Sequence, residues 1–548
     1  MNQADWWRGA VIYQIYPRSF FDSNHDGIGD LNGITQKIDY LASLGVDALW
    51  VSPVFKSPMK DFGYDVSDFR DIDPIFGSLA EFDQLVAAAH EKGLKIMIDQ
   101  VLNHTSDQHP WFVESRQNNT NPKADWYVWA DAKEDGSAPN NWLSVFGGSA
   151  WQWDEDRQQF YLHNFLSSQP DLNFLNPEVR HQVLDETEFW LKRGVDGLRL
   201  DTVNYYFHHP QLTDNPEKSE QELASFMGTK SNPYNHQRHQ FDKSQPENIV
   251  FLKELRQLMD RYPGTTTLGE IGDDRAAQLM GEYTQDGDKL NMAYCFRLLR
   301  EQTGTEFIRR AVEEHEALLG DGWPCWAMSN HDTDRVASRW SASPRSASGS
   351  SLSAQNQRAQ ATLWMALLLT LRGSVCVYNG EELGLTQAEI EYEDLQDPFG
   401  IHFWPDFKGR DGCRTPLPWQ SEQPNLGFSH HKPWLPLWQP HQALSVDLQE
   451  AQPDSTLNKF RHLVAWRKQQ AAVRLGQIKF LSLPEPILGF TRTWNSETVV
   501  CLFNLSDQSE SLNLESDFSN YTDITPGNDG SPLPAQLNPF EYLFLQRR

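Results

Sequence analysis

The chain has 548 residues, with 47 Lys and Arg against 75 Asp and Glu, a formal charge of −28. That balance excludes nucleic-acid affinity built on neutralising phosphates, and docking on anionic lipid through basic clusters. With 39% hydrophobic and 12% aromatic residues, 20 of them Trp, it can fill a large core and still line a pocket, which a disordered chain cannot.

No apolar run approaches the roughly 18 residues needed to span a bilayer; the longest clear one, residues 363–371, is broken by Thr370. Residues 1–10 carry Asp5 and Arg8 around two Trp and no apolar stretch, so no secretory signal is visible. The five cysteines (Cys295, Cys325, Cys376, Cys413 and Cys501) are scattered without CxxC spacing, which argues against disulfides and zinc. A cytoplasmic protein is expected, monomer or homodimer, with no organic cofactor and no membrane or nucleic-acid partner.

In chain order, a β-rich run at 10–16 leads into Asp22-Ser-Asn24-His-Asp26-Gly-Ile28-Gly-Asp30. Oxygen donors there occupy positions 1, 3, 5 and 9 of a loop, Gly27 sits at position 6 and the Ile28 carbonyl is available at 7. That is the pattern of a calcium loop, except that position 12 is Gly33 rather than a bidentate Glu. One structural divalent cation, Ca²⁺ or Mg²⁺, is expected; the alternative is a metal-free turn. A helix at 34–44, a strand at 46–52, a helix at 79–92 with Phe82, Leu85, Val86 and Ala89 on one face, and a strand at 94–101 follow. Residues 104–175, rich in Trp, Asn, Asp and Gly, read as an inserted module. Then come a helix at 178–193, a strand at 195–201, a long polar segment at 206–248 and a helix at 249–262. Strands at 265–270 and 290–296, a helix at 306–319, a strand at 325–330, a helix at 358–371 and a strand at 374–378 complete eight strands. Strand–helix alternation eight times over predicts a closed parallel (β/α)₈ barrel, over residues 1–103 and 176–476. An insertion at about 380–452 lies within that range, and both insertions fall on the C-terminal face, where barrel loops build sites. From 477 to 548 short alternating runs at 478–483, 487–493, 498–504 and 542–546 predict an antiparallel β-sandwich domain.

The strand ends carry the chemistry. Strand three ends in Asp99…Asn103-His104, strand four in Arg199-Leu-Asp201, strand five in Gly269-Glu270 and strand seven in Asn330-His331-Asp332. One acid at such a place could cap a helix or pair with Arg199. Three in the same mouth, beside two histidines and an arginine, predict catalysis.

These motifs, together with Gln169-Pro-Asp171-Leu-Asn173, resemble in order those of the α-amylase-type glycoside hydrolases (family 13), in the branch of α-glucosidases and oligo-1,6-glucosidases. The resemblance covers nearly the whole chain and implies a barrel, a small module after strand three, extra elements after strand eight and a C-terminal β-sandwich. It implies retaining cleavage of an α-glucosidic bond by double displacement, with Asp201 as nucleophile and Glu270 as general acid and then base. Asp332 would hold the sugar as its ring distorts, and His104 and His331 would bind its hydroxyls. Arg199 lies on the same strand face as Asp201 and its charge would keep Asp201 ionised; Glu270 must have a raised pKa. Tyr64 looks like the ring that stacks under the terminal glucose. Asp61 and Arg410 resemble the pair that grips its far hydroxyls and makes action exo, with Arg414 a further arginine nearby. Phe146, Phe165, Gln169 and Phe296 are expected to line the pocket.

In this family the residue after the nucleophile tracks linkage: Val with α-1,6, Ala or Thr with α-1,4. Here it is Thr202, so α-1,4 bonds of short oligosaccharides such as maltose are the expected substrate, with glucosyl transfer as a side activity. The alternatives are an oligo-1,6-glucosidase, a sucrose- or trehalose-acting relative, and a non-catalytic scaffold relative. Relatives of the last kind lack the acids and carry a membrane anchor.

Overall fold

The computed structural model describes residues 5–225, 231–341, 352–512, 518, 520–528 and 533–547. Eight parallel strands form one sheet: β1 (Val11–Ile15), β2 (Ala48–Val51), β3 (Lys95–Gln100), β4 (Gly197–Leu200), β5 (Thr266–Ile271), β6 (Met292–Cys295), β7 (Cys325–Ala327) and β8 (Ser374–Tyr378). Neighbours run β6-β5-β4-β3-β2-β1-β8-β7, and a single parallel bridge between Ala293 and Pro324 closes β6 on β7. The sheet is therefore a cylinder. Its strands are buried on both faces, as parallel strands covered by helices must be. Ile12, Ala48, Trp50, Met97, Leu268, Met292, Tyr294 and Ala327 pack together in the interior, while alternate residues such as Val11, Tyr13, Leu49, Ile96 and Leu198 belong to the shell facing the helices.

The helices form where the apolar spacing predicts them. Leu79–Glu91 buries Phe82, Leu85, Val86 and Ala89, and Ser78 caps its start: Ser78 Oγ accepts from the Glu81 amide and donates to Oε2 of the Glu81 side chain at 2.8 Å. Pro177–Lys192 starts with Asn176 as cap and Pro177 in the first turn. The helix expected at 34–44 is instead two short ones, Leu31–Gln36 and Ile38–Ser43. Lys37 between them leaves the helical region at ψ 13°, and its ammonium lies over the rings of Phe21 and Trp419. Several short helices and two longer ones, Ala276–Thr284 and Thr456–Gln469, have no counterpart in the sequence reading. In the first, Gly281 weakens the helical signal, yet a Cβ there would come within 2.3 Å of the Leu318 carbonyl on the neighbouring helix; the glycine permits close packing.

Between β3 and Pro177–Lys192 a three-stranded antiparallel sheet (Trp129–Ala130, Trp151–Asp154, Gln159–Leu162) forms around Trp142, Trp151 and Leu162. After the barrel, β9 (Gln477–Phe480), β10 (Ile487–Trp494), β11 (Glu497–Asn504), β12 (Tyr521–Asp523) and β13 (Tyr542–Arg547) make an antiparallel sheet in the order β9-β10-β11-β13-β12. Buried Arg492 of β10 ties it to the barrel base by donating to the Thr370 carbonyl, and also donates to that of Gly476. Within the barrel, buried Arg467 of the helix Thr456–Gln469 donates to the carbonyls of Gly9, Gly373 and Leu369. No helix among the described residues is long and apolar enough to cross a membrane.

Candidate active site

At the C-terminal mouth of the barrel, Arg199 of β4 points inward, wholly buried. Its Nη1 donates to Asp201 Oδ1 at 2.6 Å and to Asp99 Oδ1 at 2.7 Å, and its Nη2 lies 2.6 Å from Glu270 Oε1. One guanidinium thus gathers three carboxylates from three adjacent strands. The register dictates this: Asp99 stands opposite Arg199 across β3 and β4, and Leu268 stands opposite it on β5, two residues before Glu270 on the same face. Trp50 closes the layer by donating to Asp99 Oδ2 at 3.0 Å, and Tyr294 of β6 donates to Glu270 Oε1 at 2.9 Å.

Thr202 follows Asp201 with φ of 43°, a region that a β-branched residue seldom enters. Its amide reaches Glu270 Oε2 at 3.2 Å and its hydroxyl lies 3.3 Å from Asp201 Oδ2. The strained turn joins the two acids, as strain at functional positions commonly does.

A cavity of about 290 Å³ opens over these groups. Asp201, Thr202, Glu270 and Asp332 line it with Asp61, Tyr64, His104, Phe146, Phe165, Gln169, Phe296 and Arg410. Arg199 and His331 stand behind the wall. His331 is wholly buried, with Nε2 at 2.6 Å from the Tyr64 hydroxyl and Nδ1 at 2.8 Å from Gln14 Nε2, so both ring nitrogens face protein partners. The rings of Tyr64 and His331 stack within 4° of parallel. At the far end Arg410 joins Asp61 at 2.8 Å, Asp397 at 2.7 Å and Asp332 at 3.2 Å, and Gln169 donates to Asp61 Oδ2 at 3.1 Å. Arg414 holds Asp332 at 2.8 Å. At about 290 Å³ the cavity is close to the smallest small-ligand sites, about 300 Å³.

Burial pushes Glu270 up to about 7; the charges of Asp201 and Asp332 add to this, against the pull of Arg199. Asp201 is also raised, by burial first, so the pull of Arg199 moderates that rise and does not hold Asp201 in the ordinary carboxylate range. Burial works on Asp332 too, but His331, Arg410, Arg414 and Arg199 outweigh it and hold this carboxyl well below its usual value. Burial lowers His104 to about 4 and His331 to about 3, so both are neutral imidazoles near pH 7. The mouth therefore presents a carboxyl that holds its proton near neutrality beside a second carboxyl, with a permanently ionised third.

The α-amylase catalytic-domain family model matches residues 14–476. The chain belongs to the α-amylase family of glycoside hydrolases. Within that family it is an enzyme of the α-glucosidase and oligo-1,6-glucosidase branch. It is 54% identical over 512 residues to a probable alpha-glucosidase of Rhizobium meliloti, covering 93% of this chain and 91% of the relative. To an oligo-1,6-glucosidase of Parageobacillus thermoglucosidasius it is 34% identical, covering 93% and 92%. The crystal structure of an alpha-glucosyl transfer enzyme, XgtA, superposes with a TM-score of 0.93 at 51% identity over 99% of both chains. A mutant isomaltulose synthase of Erwinia rhapontici gives 0.86 at 32% over 99% of both.

Some groups in this α-amylase-family site escape sequence reasoning. Tyr294 lies inward at the end of β6 two residues before Phe296, a spacing that signals a shared face once the strand is known. Asp397, which anchors Arg410, and Phe399, which packs on Phe146 at 4.9 Å, come from the insertion after β8, where no periodicity marks them.

The loop at 22–30 is separate from this pocket. Asp22 accepts from the amides of His25 and Gly27 at 2.6 and 2.8 Å, Asn24 from Asp26 at 3.0 Å, and Asp26 from Ile28 at 2.9 Å. Asp30 caps the helix Leu31–Gln36 through the Gly33 amide at 2.6 Å. These bonds shape the loop while each carboxylate oxygen retains acceptor capacity. Asp22 and Asp30 are buried. The donors are all oxygen, which fits a hard divalent cation. Among the described residues no three Asp, Glu, His or Cys side chains are grouped so as to hold a metal ion, so an ion here would rest also on Asn24 Oδ1 and the Ile28 carbonyl and would need the carboxylates to draw together.

Proposed function

We propose that this α-amylase-family enzyme is a retaining, exo-acting α-glucosidase that releases glucose from the non-reducing end of short α-1,4-linked substrates such as maltose. The observation that carries the reading is the sharing of one guanidinium by Asp201 and Glu270, at 2.6 Å each. Two carboxyls held on one guanidinium, one of them with its pKa raised to about 7, support the retaining arrangement, in which the second carboxyl itself attacks and no water stands between it and the sugar. Glu270 donates its proton to the glycosidic oxygen as Asp201 attacks the anomeric carbon. Glu270, now a carboxylate, takes a proton from the water that frees glucose from the glucosyl–Asp201 ester. Another alcohol in place of that water gives glucosyl transfer.

Exo action is supported by the Asp61–Arg410 pair, which lines the pocket at 2.8 Å and in this reading closes it beyond the terminal sugar ring. Asp332, ionised and held by two arginines, accepts from the sugar's hydroxyls, and Tyr64 offers its face to the apolar side of the ring. Thr202, at the junction of both acids, supports α-1,4 preference. The test is initial rates on maltose, isomaltose, sucrose and trehalose. Maltose should exceed isomaltose by about tenfold or more, the discrimination one pocket contact can supply, and Thr202→Val should narrow that ratio. Faster isomaltose hydrolysis by the wild type would make the enzyme an oligo-1,6-glucosidase; sucrose as best substrate would align it with the isomaltulose synthase relative.

The loop at 22–30 takes a structural Ca²⁺ or Mg²⁺ in this reading, with Asp22, Asn24, Asp26, the Ile28 carbonyl and Asp30 as its donors. An ion bound only by the folded loop stabilises the fold by mass action. Chelator treatment should lower the melting temperature and added Ca²⁺ or Mg²⁺ restore it, with Asp22→Asn insensitive to both. A melting temperature indifferent to chelator would make the loop a metal-free turn.

A further inference from the structure

A second cavity, of about 380 Å³, adjoins the sugar pocket; Tyr205, Gly272 and Phe296 line both. Cys295, the last residue of β6, and His315, on the helix Thr305–Leu319, line this second cavity and not the first. Their side chains meet, Cys295 Sγ lying 3.2 Å from His315 Nε2. His315 Nδ1 donates to the Ala311 carbonyl at 2.6 Å, and the ring packs edge-on against Trp326. A carbonyl only accepts, so Nδ1 keeps its proton and Nε2 is the nitrogen that takes the thiol's. The imidazole is thus aimed as a general base at a thiol, the arrangement that makes a nucleophile of cysteine.

The other four cysteines are placed differently. Cys325, Cys376, Cys413 and Cys501 are at most 2% exposed, against 8% for Cys295. Burial lifts Cys413 and Cys501 to about 12. Burial acts on Cys295 too, but His315, the Arg297 amide and Arg300 outweigh it and bring that thiol below its ordinary value. The surroundings also carry a charge preference. Six Lys and Arg line the cavity against four Asp and Glu. Charges farther than about 8 Å are largely screened at physiological salt, so a ligand at Cys295 meets this local excess of cations and not the −28 of the whole chain.

We propose that Cys295 and His315 form a nucleophilic pair outside the catalytic centre, which exchanges with small anionic disulfides to give a reversible cap that slows the enzyme. The thiol proton passes to His315 Nε2, and the thiolate attacks one sulfur of the disulfide. The S–S bond breaks, half of the molecule stays on Cys295 as a mixed disulfide, and the other half leaves as a thiolate that takes the proton back from His315. Cys295 stands between Tyr294, whose hydroxyl donates to Glu270 Oε1 at 2.9 Å, and Phe296 of the shared wall. A group seated on Cys295 fills the second cavity against that wall and displaces the strand end that places Tyr294. The slowing rests on the α-glucosidase reading above; the exchange does not.

The test treats the full-length enzyme, freed of reducing agent, with oxidised glutathione or with cystamine, a cationic disulfide. Intact mass, peptide mapping of the modified thiol and the rate on maltose are followed together. One adduct should form, on Cys295, severalfold faster from oxidised glutathione than from cystamine. Hydrolysis should fall severalfold as the adduct accumulates and return with dithiothreitol. Cys295→Ser should keep its activity and take up no adduct. His315→Gln, which keeps the thiol and removes its base, should slow uptake about tenfold, as a lower thiolate fraction requires. The peptide map of the wild type decides the site even where a variant folds poorly. No adduct, an adduct on another cysteine, uptake from cystamine at an equal rate, uptake indifferent to His315→Gln, or full activity in the capped enzyme overturns the proposal. Untreated enzyme that releases no glucose from maltose overturns the glucosidase reading instead, and the mass measurements still decide the exchange.

Discussion

Asp201→Asn is expected to lower kcat on maltose by about four orders of magnitude or more, the loss typical of removing a covalent nucleophile. The substitution is nearly isosteric, and Arg199 keeps Asp99 and Glu270 as charged partners, so the fold should persist and the melting temperature should report it. A second effect follows from the electrostatics. The charge of Asp201 is among the causes that raise Glu270, so in the variant Glu270 should titrate at lower pH. Initial rates, with the melting curve as control, decide the matter: a folded variant that keeps more than about one hundredth of the activity would place the nucleophile elsewhere.

The second large effect is that of Glu270→Gln. General acid catalysis contributes about 10²–10⁴-fold, and the loss should be of that order on maltose but much smaller on an aryl glucoside whose acidic phenol leaves without a proton. The pH profile carries the sharper prediction. On the proposed mechanism the working form of Glu270 in the wild type is protonated, and burial raises its pKa to about 7, so kcat/KM should fall as pH rises through about 7. Asp201 works ionised and its pKa is raised, so activity should also fall on the acid side, at a pH above that of an ordinary carboxylate. In Glu270→Gln the alkaline limb should vanish and the acid limb remain. A profile with its alkaline limb intact would assign the proton to another group.

Much of this was legible in the chain. Eight β-rich runs alternating with helical ones specify a barrel because each strand must be apolar on both faces and each helix on one. Asp201, Glu270 and Asp332 stand out because a carboxylate straight after a buried strand has few structural uses. What sequence could not supply is depth. His331 sits one residue from Asp332, yet the strand end turns it behind the wall against Tyr64 and Gln14. The effect of Arg199 on Asp201 is likewise a contest between burial and charge that only coordinates decide. Asp397 and Phe399 reach the pocket from an insertion of short helical turns, where neither a period of 2 nor one of 3.6 marks the residues that face inward. The break at Lys37 coincides with the seating of its ammonium over the rings of Phe21 and Trp419, contacts outside the helix that local propensity knows nothing of.

The closure of the barrel has a consequence for how the enzyme fails. Seven of its eight seams are ladders of several aligned pairs, whereas among the described residues the backbone pairing of β6 with β7 is the Ala293–Pro324 bridge. Regions held by few backbone hydrogen bonds open at the lowest free energy, well before the whole molecule unfolds. β6 carries Tyr294, whose hydroxyl bonds both Glu270 and Arg199, and Phe296, which belongs to both cavities. Breathing at this one seam would release Glu270 from the Tyr294 hydroxyl and rearrange the wall that the two cavities share. Heating would then silence the enzyme while most of its secondary structure was still in place, and a graft that lengthens the β6–β7 ladder would protect activity more than it raises the melting point.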